Sequence, residues 1–585
     1  MWKSYEVAQD GGNQDKPVWS QTDWSGGFGQ GNFADPSRYS IGSTIDTSHP
    51  GKFFLGPNLE TGALHGGGNL SAAANNFALF NGELYMITTF GQVYKWSTTD
   101  SHWDSVYAGV GSTAGGFVNL CAHNGKLYAA QGESNAYVYS ATGASGSWTA
   151  VTGYYAAYFL SAPPYAGSTP VMWRWSADNL ISSSTDPTTG TSWASDIYIG
   201  DSSADIRSLF LHQGQLYVGK TDGLYHYDSE GVVHQLLSNP IEYQATGAYF
   251  TTSCSLKGAT YFNMGKAIGE LTSYNSFDSI QPSTKADDIS LKEVYCYGLA
   301  SDGFNLYASM YDVDTTTSAI WKGHQSSDSE GNTRWAWDHL ANIGAVSWRL
   351  FFYEGLQSGN PNHPRIWMAY TTTGLRYLKI SQNPTDSGWY YYDDPSFTSS
   401  GYLETPWIDV GHRDWYKIID SVLVECRGTM GTVAVAYQAD ESGTYTTIGT
   451  YSATTAGTKD YVATAPFAAK KFKLKFTLTA ASSASTPIVK YVSAYGAVRP
   501  TRVQMFDFTA YAETGTGSQA KELRDFLLVC RDATSLLTLT DRYGSSHYVR
   551  ILAGYPTETE YVDQATRQPG MAMRVICEKV DWNGS

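Results

Sequence analysis

Asn81-Gly-Glu-Leu-Tyr85 is a stretch to which the chain keeps returning. Its counterparts are Asn124-Gly-Lys-Leu-Tyr128, Gln213-Gly-Gln-Leu-Tyr217, Lys257-Gly-Ala-Thr-Tyr261 and Asp302-Gly-Phe-Asn-Leu-Tyr307, with looser copies ending at Trp173 and Trp367. From Tyr85 to Trp367 the seven marks are spaced by 43, 45, 44, 44, 46 and 60 residues. A period of roughly 40–50 residues built from strands is the mark of a β-propeller. Around the first copy, Phe77 to Phe80, Leu84 to Thr88, Val93 to Trp96 and Trp103 to Tyr107 read as four successive strands, with Gly82 and Gly91 at the turns. Arg207 to His212, Leu216 to Gly219 and Leu224 to Tyr227 repeat the scheme, and Asp222-Gly223 is a strong hairpin signal. Seven marks imply seven blades, with a six-blade count left open because the third repeat, Tyr154 to Trp193, is the least faithful. The Gly/Asn/Pro-rich insertion from Glu354 to Pro364 accounts for the last, longer spacing.

The composition agrees with strands and tight turns. Gly (58), Tyr (43) and Trp (18) are abundant, and only 16 % of the 585 residues are charged. A formal charge of −16 argues against a nucleic-acid partner, which needs basic patches to neutralise phosphate. No apolar run approaches the ~18 residues of a membrane helix, so no membrane insertion is expected. Met1-Trp-Lys-Ser-Tyr-Glu6 lacks an apolar h-region, so no secretory signal is expected either. The six cysteines (Cys121, Cys254, Cys296, Cys426, Cys530, Cys577) are never arranged as C-x-x-C and read as free thiols.

Outside the repeats the pattern changes three times. Residues 1–70 carry Trp24-Ser-Gly-Gly-Phe-Gly-Gln-Gly31 and Ile45-Asp-Thr-Ser-His-Pro-Gly51, and read as an extended aromatic, glycine-rich arm. Its Trp2, Trp19, Trp24, Phe28, Phe53 and Phe54 demand burial on this chain or on a neighbouring subunit. Over 396–500, Ser421 to Cys426, Val433 to Tyr437, Thr446 to Gly449, Lys471 to Leu478 and Val489 to Tyr495 alternate apolar and polar residues, as in a jelly-roll-like antiparallel β-sandwich. Over 501–585, Leu523, Phe526, Leu527 and Cys530 mark one helical face, with Ser518 as its cap. The hairpin Leu536 to Thr540 with Tyr548 to Leu552 and the strand Met573 to Val580 complete a small α+β module. The expected fold is therefore mainly β: a propeller of about seven blades over 71–395, then the sandwich, then the α+β domain.

No catalytic, cofactor-binding or metal site is assigned. Ser184-Thr-Asp-Pro-Thr-Thr-Gly-Thr-Ser-Trp193 is similar to a sialidase Asp box with two extra residues, and Ala144-Ser-Gly-Ser-Trp148 keeps its tail, but Asp boxes are turns. A sialidase also needs convergent arginines for the substrate carboxylate; Arg174, Arg207, Arg334, Arg349, Arg365 and Arg376 are the candidates. The pairs Asp287-Asp288 and Asp393-Asp394 have the residue type, not the spacing evidence, for glycoside hydrolysis. Asp312-Val-Asp314 begins like a calcium loop without its glycine and closing Glu, Gly26 to Gly31 lacks the phosphate-loop Lys, and the histidines show no paired spacing. Trp389-Tyr-Tyr-Tyr392 and Tyr154-Tyr155 could stack on sugars or plug the propeller.

Taken together, Asp23-Trp-Ser-Gly-Gly-Phe-Gly-Gln30, Gly401-Tyr-Leu-Glu-Thr-Pro-Trp-Ile-Asp409 with Ser485-Thr-Pro-Ile-Val489, and Leu536-Leu-Thr-Leu-Thr-Asp-Arg-Tyr-Gly544 resemble segments of bacteriophage tail and tail-tip structural proteins. The resemblance implies a non-enzymatic virion component, released by lysis, that assembles with other tail proteins and with copies of itself in a ring or tip. A host surface glycan is the ligand such a propeller platform would take. The competing expectation is a glycan-binding or glycan-cleaving enzyme.

Overall fold

The computed structural model describes residues 18–29, 37–68, 70–109, 118–163, 169–177, 179–238, 249–273, 276–280, 282, 294–313, 315–327, 333–344, 347–353, 364–370, 374–380, 396–411, 413–427, 431–453, 458–463, 466–499, 505–512, 517–533, 537–540, 543–552, 554–562 and 569–579. The protein is mainly β, and its repeats are seven blades. Blade one consists of Ala74–Phe80, Glu83–Thr88, Val93–Ser97 and His102–Tyr107; blade two of Leu120–His123, Lys126–Ala129, Gly132–Ser140 and Trp148–Ala156. Blade three is Tyr158–Ala162, Val171–Ala177, Leu180–Ser184 and Ile197–Tyr198; blade four is Ile206–His212, Gln215–Lys220, Gly223–Tyr227 and Val233–Ser238. Blade five is Tyr249–Leu256, Ala259–Met264, Ala267–Ser273 and Ser276–Ser279; blade six is Val294–Ser301, Leu306–Asp312, Thr317–Ser327 and Thr333–Asn342.

Blade seven takes Ser347–Tyr353, Arg365–Tyr370 and Leu375–Lys379 from the end of the repeat region and its fourth strand, Leu59–Leu64, from before blade one. That strand runs antiparallel to Leu375–Lys379 and also pairs in parallel with His102–Tyr107, so blades one and seven share one sheet. A ring of separate sheets has to be held shut at one seam, and here a strand from the sequence-distant start of the chain holds it.

The recurrent x-Gly dipeptide is there for backbone geometry. Asn81 and Gly82 have φ of 52° and 79°, Asn124 and Gly125 44° and 71°, Gln213 and Gly214 49° and 80°, Lys257 and Gly258 49° and 88°. Two successive positive φ values make the type I′ turn, whose twist matches the strands it joins. Space around these four glycines is open, so it is the dihedral angle and not crowding that selects glycine. The aromatic residue that follows points the other way. Tyr85, Tyr128, Tyr217, Tyr261, Tyr307 and Trp367 are each at most 1 % exposed. Three of the phenols end on a carboxylate: Tyr85 donates to Glu83 (3.0 Å), Tyr261 to Glu270 (2.7 Å) and Tyr307 to Asp302 (2.9 Å). In the irregular third repeat Trp173 is only half-buried, and Trp175, two residues on and so on the same strand face, is fully buried.

The sandwich consists of two facing sheets. One orders Thr458–Ala463, Tyr416–Arg427, Ile488–Arg499, Phe53–Leu55 and Ile45–Asp46, with Trp19–Gln21 also on Ile488–Arg499 and Phe467–Ala469 on Tyr416–Arg427. The other orders Thr446–Ala453, Gly431–Ala439, Phe472–Ala480, Ser400–Glu404 and Ile41–Ser43. Val422, Val424, Val433, Val435, Leu474, Phe476 and Val489 alternate into the space between them.

This changes the reading of residues 1–70. Their described part is no free arm: it supplies strands to both sandwich sheets and the closing strand of the propeller. Of the two destinations open to its aromatic residues, the structure selects the chain's own core. Trp19, Trp24, Phe28, Phe53 and Phe54 are all buried; Trp2 lies outside the described residues. Trp24 packs edge-on against Phe53 at 4.8 Å and against Phe476 of the sandwich at 6.3 Å. Phe28 packs edge-on against Trp321 of blade six at 5.1 Å, and the same core continues into blades five and six. The 396–500 segment is thus a sandwich completed by strands about 400 residues away in sequence.

A second compact unit holds the C-terminal residues from Gly496. Within it Met505–Ala512, Pro569–Lys579, Ser546–Ile551 and Leu537–Thr540 lie side by side, and Thr557–Val562 also pairs with the long strand Pro569–Lys579. The helix Gly517–Arg531 lies on this sheet with Leu527 buried and Leu523 and Cys530 half-buried against Phe506, Val549 and Met573. Two sequence expectations change here. Ser518 lies inside the first turn and does not precede it, and Phe526 is 62 % exposed, off the packed face.

Candidate functional site

The residues considered for chemistry are used locally. Arg174 donates to Ser182 Oγ and to the carbonyl of Tyr155, and its guanidinium stacks 4.4 Å from the Trp193 ring. Arg207 pairs with Asp205, Arg334 donates to Ser37, and Arg349 of blade seven donates to the carbonyl of Thr251 in blade five. Arg365 stacks on Tyr377 at 4.7 Å and on Trp96 at 5.4 Å, and Arg376 donates to Thr61. These partners spread the six arginines over blades three, four, six and seven.

The Asp-box-like segment is a self-bonded turn. Asp186 N–H donates to Ser184 Oγ (3.1 Å), Thr188 Oγ1 donates to Asp186 (2.5 Å), Ser184 and Ser192 share a hydrogen bond (2.7 Å), and the Trp193 ring stacks on Phe159. Ser140 and Ser147 repeat the device before Trp148 in blade two. Tyr154 covers Gly190, while Tyr155 is 43 % exposed. Asp287, Asp288, Asp314, Trp389 to Tyr392, Asp393, Asp394 and the insertion at 354–363 lie outside the described residues. All six cysteines are free thiols; burial pushes those of Cys121, Cys254 and Cys426 up to about 12.

What the fold does bring together is a buried polar cluster where the N-terminal segment meets blade six. Asp46 accepts from Lys322 Nζ (2.9 Å), from Ser48 N–H (2.9 Å) and from Ser48 Oγ (2.7 Å), and Lys322 also donates to Ser48 Oγ (2.7 Å). Asp338 accepts from Tyr39 OH (2.9 Å), Thr47 N–H (3.0 Å) and Thr47 Oγ1 (2.6 Å). The Thr44 N–H donates to His339 Nδ1 (3.2 Å), and His324 Nε2 donates to the carbonyl of Ser25 (2.9 Å). Gly27, at φ of 73°, lies so close to the backbone of Trp337 that a Cβ would stand 2.7 Å from its nitrogen. The glycine run that might have been a phosphate loop is therefore a close backbone approach. Only Ile45-Asp-Thr-Ser-His-Pro-Gly51 hinted at this cluster in the sequence, and nothing there pointed to Lys322 or Asp338.

The charges in the cluster are unequal. Burial opposes ionisation of both carboxylates. Lys322 and His49 overcome that for Asp46 and hold it below the usual range, whereas burial and the neighbouring Asp46 push Asp338 up to about 7. Burial lowers His49, His324 and His339 to about 4, so all three stay neutral in the folded protein at neutral pH. Between pH 6.5 and 4 the unfolded chain protonates these three histidines and the folded chain does not, so stability falls as the pH falls. Asp338 acts in the opposite sense over about pH 4–7, because the folded form holds the proton that the unfolded form releases. The net expectation is a loss on acidification of about 3 kcal/mol per uncompensated histidine. Denaturant unfolding from pH 7 to 4.5 reads it, and His324→Gln, which keeps a donor for the Ser25 carbonyl, should flatten the slope by about one proton. An unchanged slope in that variant would remove His324 from the account.

One further cluster lies at the ring seam. His65 Nδ1 and His102 Nε2 are 2.7 Å apart, and Asp104 Oδ1 lies 3.4 Å from the first and 3.1 Å from the second. The sequence assigned no metal ligands because these histidines are 37 residues apart; parallel strand pairing unites them.

No protein-family model matches the chain, and no curated protein sequence matches it. Among solved structures, the extracellular domains of BT4673 and BT3049 from B. thetaiotaomicron align with 59 % and 57 % of the chain at 10 % and 11 % identity and TM-scores of 0.36 and 0.35. The alignments span less than half the length of those two chains, 44 % and 45 %. Saccharomyces cerevisiae Sqt1 aligns over 62 % of the chain and 96 % of its own at 12 % identity, TM-score 0.37. YCF48 bound to D1 peptide aligns over 55 % and 95 % at 11 % identity, TM-score 0.37. Likeness at this level bears on neither activity nor partners; the propeller stands on its own strand order.

Proposed function

We propose that the chain is a non-enzymatic structural component of a bacteriophage virion, of the tail or tail tip, in which the propeller is a platform for host attachment. The observation that carries the assembly half of this reading is apolar surface on the C-terminal unit. Tyr511, Phe526, Val529 and Tyr543 are 61 %, 62 %, 70 % and 77 % exposed, and Phe526 and Val529 lie one turn apart on a single helix. The unit's own core, made by Leu527, Met573, Val575 and their neighbours, does not need them. The reading is also supported by the interlocked N-terminal segment, which gives the propeller and sandwich one continuous core suited to a rigid spacer.

Electron microscopy of the purified chain and of its native particle tests the proposal. The expected result is a defined homo-oligomer within a tail, lost on Phe526→Asp with Val529→Asp while the thermal unfolding of the chain is unchanged. A monomer that turns over a glycan and belongs to no particle would overturn it. Glycan-array binding then separates an attachment platform from a pure scaffold.

A further inference from the structure

We propose that His65, His102 and Asp104 form a transition-metal site, of zinc type, that fastens the seam of the propeller ring; this goes beyond the assembly role and does not depend on it. The geometry begins with the strand pairing. Leu59–Leu64 runs parallel to His102–Tyr107, with Ala63 opposite His102 and Leu64 opposite Trp103. His65, the next residue, therefore arrives level with Asp104. His102 and Asp104 are two residues apart on one strand and share a face. Just after His65 the chain turns through Gly66 and Gly67, at φ of 75° and 76°, with open space around both.

The result is three candidate ligand atoms mutually 2.7–3.4 Å apart. Ligands at about 2.1 Å from a tetrahedral ion stand about 3.4 Å from one another, so the two imidazole nitrogens, 2.7 Å apart, need to part by about 0.7 Å, while Asp104 Oδ1 already stands within about 0.3 Å of that spacing from both. Two imidazole nitrogens and one carboxylate oxygen suit Zn²⁺ and its neighbours and do not suit Ca²⁺ or Mg²⁺, which take oxygen sets. The His102 side chain is 16 % exposed, which fixes one ligand, while those of Asp104 and His65 are 45 % and 73 % exposed and leave a fourth position to water.

The placement gives the site a purpose. The closing strand is already tied to blade seven by Glu60, which accepts from Tyr377 OH (2.6 Å) and pairs with Lys379 (3.4 Å). On its other edge the pairing with blade one is short, two residue pairs long. An ion held by His65 from the closing strand's end and by His102 and Asp104 from blade one would cross-link that weak edge.

The test uses the full chain, stripped with EDTA and titrated with ZnCl₂ by calorimetry, with melting followed in parallel. Expected are one saturable zinc per chain, a higher melting temperature with zinc, and no response to CaCl₂. A tetrahedral cobalt spectrum on CoCl₂ addition would report the four-coordinate geometry, and its loss in the His65 and His102 variants would tie it to these ligands. His65→Ala, on an exposed turn, and His102→Gln should each weaken zinc at least tenfold. Neither should change the melting of the metal-free chain by more than its scatter, and His234→Ala, in an exposed His–Asp pair on blade four, should leave zinc binding intact. Absence of saturable binding, or binding unaffected by both seam variants, or preference for calcium, would each overturn the assignment.

Discussion

Trp367→Ala should lower the unfolding free energy by about 3–5 kcal/mol, the range for removing a large buried aromatic residue. The side chain is fully buried at the same seam, between blades seven and one. Its ring meets Trp96 at 4.8 Å, Trp103 at 5.1 Å and Tyr377 at 4.7 Å, and it lies over Gly62 of the closing strand, where a Cβ would come within 2.6 Å of the indole. Four elements from the two ends of the repeat region therefore lose contact when the indole goes. Trp367→Phe should cost less, because the ring face is kept and the indole N–H has no hydrogen-bond acceptor to lose. Trp173→Ala, at the matching but half-buried position of blade three, should cost clearly less than Trp367→Ala. Urea unfolding of the three variants reads the order; equal losses at Trp173 and Trp367 would show that the repeat position, and not the seam, sets the cost.

Lys322→Ala is expected to be as damaging, about 3–5 kcal/mol, for an electrostatic reason. The side chains of Lys322 and Asp46 are 6 % and 11 % exposed and 2.9 Å apart. Removing the ammonium takes away the main cation that holds the Asp46 carboxylate ionised and leaves it buried beside Asp338, with the Ser48 donors and the neighbouring His49. Lys322→Met, which keeps the apolar stem, should lose nearly as much. Adding Asp46→Asn to Lys322→Met should then restore part of the loss, since no charge remains to be compensated, and the cycle should show a coupling of about 0.5–3 kcal/mol. Additive losses would mean that the two groups contribute packing alone. Because Asp46 belongs to the N-terminal segment and Lys322 to blade six, limited proteolysis of Lys322→Ala should cut first within residues 18–64.

The blades were legible because a local rule writes them. A type I′ turn needs two positive φ values at adjacent residues, so x-Gly recurs at Asn81, Asn124, Gln213 and Lys257, and the blade core needs an aromatic residue at a fixed distance after it. The rule weakens where the geometry changes: in blade three a longer connection follows Ala162, and the burial shifts from Trp173 to Trp175. The strands of the N-terminal segment were hidden for the opposite reason. Trp19–Gln21, Ile41–Ser43, Ile45–Asp46 and Phe53–Leu55 are two or three residues long, too short to show any alternation. Three of them are strands because partners at residues 402–404 and 488–494 wait for them, and Ile45–Asp46 then pairs with Phe53–Leu55.

From the residues alone it followed that the protein is mainly β, that about seven repeats build a propeller, and that the repeated Tyr or Trp after each x-Gly turn serves packing, because turn dihedrals and strand alternation act over a few residues. Only the tertiary structure decided that the strand Leu59–Leu64 closes the ring, that Asp46 meets Lys322 and Asp338, and that His65 meets His102 and Asp104. Each of those contacts depends on pairing between distant segments, and the free energy of burying a charge or aligning two imidazoles is defined only once both partners are in place.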